Sequence, residues 1–211
     1  QTLLNAGTAT GGTIMYSLDN SNFTTSVPQQ TNAGNYTVYY YISGDSNHNS
    51  TPKKSIVAAI NKATPTLTAP TAKTNLLYTG SAQTLINAGS VNAGTLQYKG
   101  GNMSSWGTTL PTGIDAQEYV IYYRVVGDSN WNDIAQQSLT VNIGKKKATI
   151  STNPQPKDLT FNGNSQVLCT AGVTSDGTLL YRVGTSGSWK QYSSTWPTSA
   201  TAGTYTVQFY V

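Results

Sequence analysis

A seven-residue phrase is written three times along the chain, and this repetition restricts the fold more than any other feature. Gln1-Thr2-Leu3-Leu4-Asn5-Ala6-Gly7 returns as Gln83-Thr84-Leu85-Ile86-Asn87-Ala88-Gly89, and in altered form as Gln166-Val167-Leu168-Cys169-Thr170-Ala171-Gly172. The same spacing carries Gly12-Thr13-Ile14-Met15-Tyr16 onto Gly94-Thr95-Leu96-Gln97-Tyr98 and Gly177-Thr178-Leu179-Leu180-Tyr181. A period long enough to hold a full set of strands implies tandem domains rather than a solenoid of small units. The repeats run 1–62, 63–147 and 148–211. The middle one is complete, while the first lacks its opening strands and the third its closing strand. The expectation is a stretch of a longer tandem array.

Period-two alternation marks the strands. Tyr119, Ile121, Tyr123 and Val125 share one face, answered by Tyr36, Val38, Tyr40 and Ile42 and by Tyr205, Val207, Phe209 and Val211. The opposite face changes from copy to copy, as a solvated face of an antiparallel sheet should. Leu139, Val141 and Ile143 alternate in a closing strand, matched by Ile56, Ala58 and Ile60. Phe23, Trp106 and Trp189 follow the Gly-Thr-x-x-Tyr segment and are expected as core plugs. Trp196, which aligns with Val27 and Leu110, is expected to be buried. Tyr36, Tyr119 and Tyr205 each open a strand after a polar turn, the pattern of a tyrosine corner whose hydroxyl bonds to upstream backbone. Short strands between Gly, Pro and Asn turns predict an all-β chain of β-sandwiches. No helical period occurs.

The strings Leu77-Tyr78-Thr79-Gly80-Ser81-Ala82-Gln83-Thr84-Leu85 and Glu118-Tyr119-Val120-Ile121-Tyr122-Tyr123-Arg124-Val125-Val126-Gly127-Asp128-Ser129-Asn130, with the Ile60-Asn61-Lys62-Ala63 junction, resemble tandem bacterial immunoglobulin-like repeats. Such repeats build large bacterial surface proteins and phage structural and fibre proteins. The resemblance covers essentially the whole chain. It implies immunoglobulin-like Greek-key sandwiches of about seven strands each, at a bacterial cell surface or virion exterior. The implied partners are adjacent repeats of the same longer chain, surface glycans, or other structural proteins of the assembly. The family supplies no shared catalytic residue.

The residues argue against chemistry as well. One histidine and eight carboxylates are spread over three repeats, too few to converge on an enzymatic site. His48 aligns with Trp131, so an imidazole is not a shared requirement. The single cysteine, Cys169, aligns with Leu4 and Ile86 and reads as a small apolar side chain. No zinc-type spacing and no phosphate-cradling loop is present, and no cofactor is expected. The net charge of +4 comes largely from Lys53-Lys54 and Lys145-Lys146-Lys147, without a basic stripe interleaved with aromatics; nucleic acid is not expected as a partner. No run of about 20 apolar residues could span a bilayer in this segment.

Two features remain as candidate sites. Asp45, Asn47 and Asn49, repeated as Asp128, Asn130 and Asn132, alternate oxygen side chains as at the start of a calcium loop, but the glycine and glutamate that complete such a loop are missing. A tight inter-strand turn is the preferred reading. Trp131 at the tip of that turn, with Tyr39, Tyr41, Tyr122 and Tyr210 on the outer face, forms a candidate set for stacking on sugar rings. The function expected first is a non-catalytic spacer or stalk that positions a binding module; a glycan- or host-surface-binding module is the alternative.

Overall fold

The structure is a computed structural model that describes residues 1–193 and 195–211. Every regular element among them is a β-strand, and the strands form several separate sheets. The chain divides into two compact units, Gln1–Gly144 and Lys145–Val211.

In the first unit, the first repeat contributes a three-stranded antiparallel sheet. Its central strand is Gly34–Gly44, flanked by Gly12–Ser17 and Lys54–Ile60. The middle repeat builds a five-stranded sheet in the order Met103–Gly107, Thr95–Gly100, Glu118–Val126, Ile134–Gly144, Leu76–Leu77. All neighbours are antiparallel except the last pair, which is parallel. Three short strand pairs form a second layer: Gln83–Thr84 with Thr112–Gly113, Leu67–Thr68 with Ser90–Val91, and Thr71–Ala72 with Ile86–Asn87. Between the layers lies one core, where Leu85 and Ile86 meet Tyr98, Ile121, Tyr123, Val141 and Ile143. Alternation explains the geometry. Ile121, Tyr123 and Val125 are buried while Val120 between them is 43% exposed, because successive side chains leave a strand on opposite faces.

The second unit is smaller. Leu180–Val183 is the middle strand of a three-stranded antiparallel sheet, between Lys190–Gln191 and Val207–Tyr210. Cys169, Leu179 and Tyr181 form its core, with Ile150, Tyr192, Val207, Phe209 and Val211 packed against them.

Three hydrogen-bond devices recur at equivalent positions. The hydroxyls of Tyr36, Tyr119 and Tyr205 donate to the carbonyls of Asn32, Asp115 and Thr201, each four residues upstream, at 2.8, 3.0 and 2.8 Å. The hydroxyls of Tyr16, Tyr98 and Tyr181 accept from the amides of Gly7, Gly89 and Gly172 at 3.0, 3.2 and 2.7 Å. The amides of Leu3, Leu85 and Leu168 donate to the carbonyls of Pro28, Pro111 and Pro197 at 3.0, 3.0 and 2.9 Å. The bonds to the glycine amides are part-buried and pair main-chain groups that would otherwise be partly shut off from water, whereas the corner bonds lie at the surface.

The tryptophans depart from expectation. Trp106 lies on the outer face of its sheet under Arg124, whose guanidinium sits 4.3 Å from the ring centroid. Trp189 lies likewise under Arg182 at 4.5 Å, and Phe23 under Lys53 at 4.5 Å. Register is the reason. Gly107 pairs with Tyr98, so Trp106 shares the face of Gln97 and Arg124, opposite the core. Trp196 is half-buried beside Lys190, with its ring centroid 4.8 Å from the ammonium.

Candidate functional site

The densest set of long-range polar contacts involves the turn at Gly127–Asp133, which joins the strands Glu118–Val126 and Ile134–Gly144. Locally the turn is tied by its first carboxylate. Asp128 Oδ1 accepts from the amides of Asn130 at 2.8 Å and Trp131 at 3.0 Å, the Asx geometry that makes Asp-x-Asn a turn former. Gly127 is required at its position. A Cβ there would strike the Trp131 carbonyl oxygen, and in the first repeat one on Gly44 would strike the His48 carbonyl in the same way.

Held like this, the turn reaches the end of the first repeat and the start of the middle one. Asn130 Oδ1 accepts from the Ala33 amide at 2.7 Å, while its Nδ2 donates to Asn32 Oδ1 at 3.2 Å. The Ala63 amide donates to the Asn130 carbonyl at 2.9 Å, and the Asn132 amide returns a bond to the Ala63 carbonyl at 2.8 Å. Asn132 Nδ2 faces the Lys62 carbonyl at 3.3 Å and Thr64 Oγ1 at 3.4 Å. Lys62 Nζ donates to the Asp128 carbonyl at 2.8 Å. The result is a clasp around the junction, made mainly of amides and carbonyls, with the Lys62 ammonium bonded to a carbonyl rather than to a carboxylate. It also fixes the Asn130 amide orientation, since only Oδ1 can accept from Ala33.

The equivalent turn of the first repeat has the same internal ties. Asp45 Oδ1 accepts from the Asn47 amide at 2.8 Å and meets His48 Nδ1 at 2.8 Å. The His48 contact, then the Asn47 amide, holds the Asp45 carboxyl below its ordinary value. This turn is exposed throughout.

These contacts place the candidate calcium ligands. Asp45 and Asp128 aim an oxygen at their own turn amides, and Asn130 and Asn132 face the junction rather than a common centre. Asn47 and Asn49 stand exposed in the first-repeat turn. No cluster of three or more His, Cys, Asp or Glu that could hold a metal ion occurs among the described residues.

The candidate stacking aromatics do not form one platform. Trp131 is half-buried at the clasp, where its backbone bridges to Ala63. Tyr41 is met edge-on by Phe23 with centroids 4.9 Å apart, and Tyr210 by Trp189 at 4.5 Å. Tyr39 and Tyr122 are half-buried. Cys169 is buried and its thiol is pushed up by that burial, the opposite of what a nucleophile needs.

The sequence did not single out Asn32, Ala33, Lys62 or Thr64 as partners of the turn. The one available signal was the repetition of Asn47 as Asn130 beside a junction without a flexible linker. No family model, curated protein or solved structure matches the chain.

Proposed function

We propose that this chain is a non-catalytic spacer: successive immunoglobulin-like Greek-key sandwiches in a longer extracellular array, on a bacterial surface or virion exterior, that holds a binding module at a distance. The observation carrying this reading is the Asn130–Asn132 clasp. A stalk must transmit position, so its joints must resist bending. Here Lys62 leads into Ala63 with no Gly/Ser linker, and the joint is bonded on two sides, through Ala33 and through Lys62–Ala63. The nine-residue strand Glu118–Val126 gives each module a length of ~30 Å.

The sparse titratable groups and the raised Cys169 thiol support a role without chemistry. The outer aromatics support it too. Phe23, Trp106 and Trp189 each carry a cation near the ring, and Tyr41 and Tyr210 each make a T-shaped contact with a neighbouring ring, which reduces the ring face open to a sugar.

Spin labels on exposed Ser55→Cys and Ser138→Cys, in a Cys169→Ala background, test the joint. A narrow distance distribution across the first and middle repeats is expected. A broad one, as for a flexible linker, would remove the spacer reading.

A further inference from the structure

The loop between Leu159 and Gln166 carries the one place in the sequence where an asparagine precedes a glycine, Asn162-Gly163. By repeat alignment the pair corresponds to Thr79-Gly80 of the middle repeat, and the two loops are built alike. Gln166 Nε2 donates to the Thr160 carbonyl at 3.0 Å, as Gln83 Nε2 does to the Leu77 carbonyl at 2.9 Å. The Asn164 amide donates to Asn162 Oδ1 at 3.0 Å, as the Ser81 amide does to Thr79 Oγ1 at 3.3 Å. Gly163 and Gly80 share a left-handed backbone, with φ of 74° and 80°. Residues 162–165 and 79–82 are exposed. The middle loop keeps this form while Leu76–Leu77 is paired with Ile134–Gly144, so the open loop is a property of the repeat itself.

Three features make Asn162 reactive. Gly163 can turn its peptide plane at least steric cost, and no atom lies within 4 Å of the place a Cβ would take there, so no packing resists the turn. Among the described residues the Gly163 amide donates to no acceptor, which leaves its nitrogen available. The Asn164 amide is aimed at Oδ1, the oxygen on which negative charge develops when a nucleophile adds to the side-chain carbon.

We propose that Asn162 is a self-modifying residue that converts to isoaspartate and aspartate. The Gly163 nitrogen gives its proton to solvent and bonds to Asn162 Cγ. The Cγ–Nδ2 bond then breaks, and the departing nitrogen takes a proton from water and leaves as ammonia. The product is a succinimide ring, which water opens. Opening at the main-chain carbonyl leaves the backbone running through Cβ and Cγ as isoaspartate; opening at Cγ gives aspartate. Either product puts a carboxylate on the loop, and isoaspartate also lengthens the chain that Gln166 and Thr160 tie together. Thr79 at the equivalent position has no such reaction, so age marks one repeat and spares its neighbour. The reaction runs whether or not the array is a spacer, and the two readings fail separately.

Peptide mapping by mass spectrometry, on the full chain held at neutral and at mildly alkaline pH, tests this. Conversion at Asn162 should be at least ~10-fold faster than at the exposed Asn47 and Asn102, which precede bulkier residues. It should yield isoaspartate as well as aspartate, and speed up as pH rises, because the attacking nitrogen must lose its proton. Gly163→Ala should slow it at least ~10-fold. Thr79→Asn should install a second reactive site in the middle repeat, which keeps the test valid if Gly163→Ala disturbs its own loop. Conversion of Asn162 no faster than Asn47, aspartate without isoaspartate, or an inert Thr79→Asn variant would overturn the assignment.

Discussion

Replacing Asn130 with alanine probes the clasp where its cost can be worked out. The substitution removes the acceptor of the Ala33 amide, at 2.7 Å, and the donor to Asn32 Oδ1, at 3.2 Å. A typical hydrogen bond contributes a net ~0.5–1.5 kcal/mol, so two give about 1–3 kcal/mol. Ala33 is half-buried, and water recovers part of its amide's loss; about 2 kcal/mol is the working figure on that scale. The main-chain bonds between Ala63, Asn130 and Asn132 remain, so the joint should loosen without coming apart. At 1.4 kcal/mol per factor of ten, the open joint becomes roughly 30-fold more populated. Amide hydrogen exchange at Ala33 reads this directly, and its protection should fall by about that factor. Asn130→Asp separates the two bonds: a carboxylate still accepts from Ala33 but cannot donate to Asn32. Its protection should lie between the parent and the alanine variant. Asn47→Ala, in the twin turn of the first repeat, should leave Ala33 unchanged. If Ala33 exchanges at the parent rate in Asn130→Ala, the clasp does not stiffen the joint and the reasoning is wrong.

The corner tyrosine divides similarly. Tyr119→Phe removes a single bond to the Asp115 carbonyl and should cost about 1 kcal/mol. Tyr119→Ala also removes a ring packed on the middle core and should cost ~3–5 kcal/mol. Equal denaturation midpoints for the two would show that the ring does not support the core. Asp19 carries a pH dependence. The Ser17 hydroxyl, then the amides of Asn22 and Ser21, hold its carboxyl far below the ordinary 3.8. Its contribution is therefore complete above that value. It erodes as pH falls further, because only the unfolded chain then takes up the proton. The stability gap between the parent and Asp19→Asn should narrow from about pH 7 to about pH 2.5, and a constant gap in denaturant midpoint would count against it. Gly127→Ala should destabilise the turn and loosen the clasp with it, since the new methyl meets the Trp131 carbonyl; unchanged protection at Ala33 would contradict that.

Strand faces were the most legible part of the sequence. Side-chain direction in a strand is local, so the alternation of Tyr119, Ile121, Tyr123 and Val125 is enough to assign a face. Trp106 shows where that logic stops. Face assignment does not carry across the turn between Thr95–Gly100 and Met103–Gly107; it is the pairing of Gly107 with Tyr98 that sets the indole on the outer face, over Arg124. The glycine amides held by Tyr16, Tyr98 and Tyr181 were present as two recurring phrases, yet nothing local joined the phrases to each other. Asn130 was harder still, because Ala33 lies 97 residues away along the chain. Its Asx turn was readable from Asp-Ser-Asn, but its grip on the preceding module depends on tertiary placement alone.

The clasp meets the preceding segment partly through features every polypeptide has, an amide at Ala33 and a carbonyl at Lys62, and partly through the side chains of Asn32 and Lys62. The main-chain share of the coupling asks nothing of its neighbour's side chains. In the array proposed above, repeats joined through main-chain groups would need less re-matching at each new boundary when duplicated, deleted or reordered, so array length would be able to change separately from the fold of any one repeat.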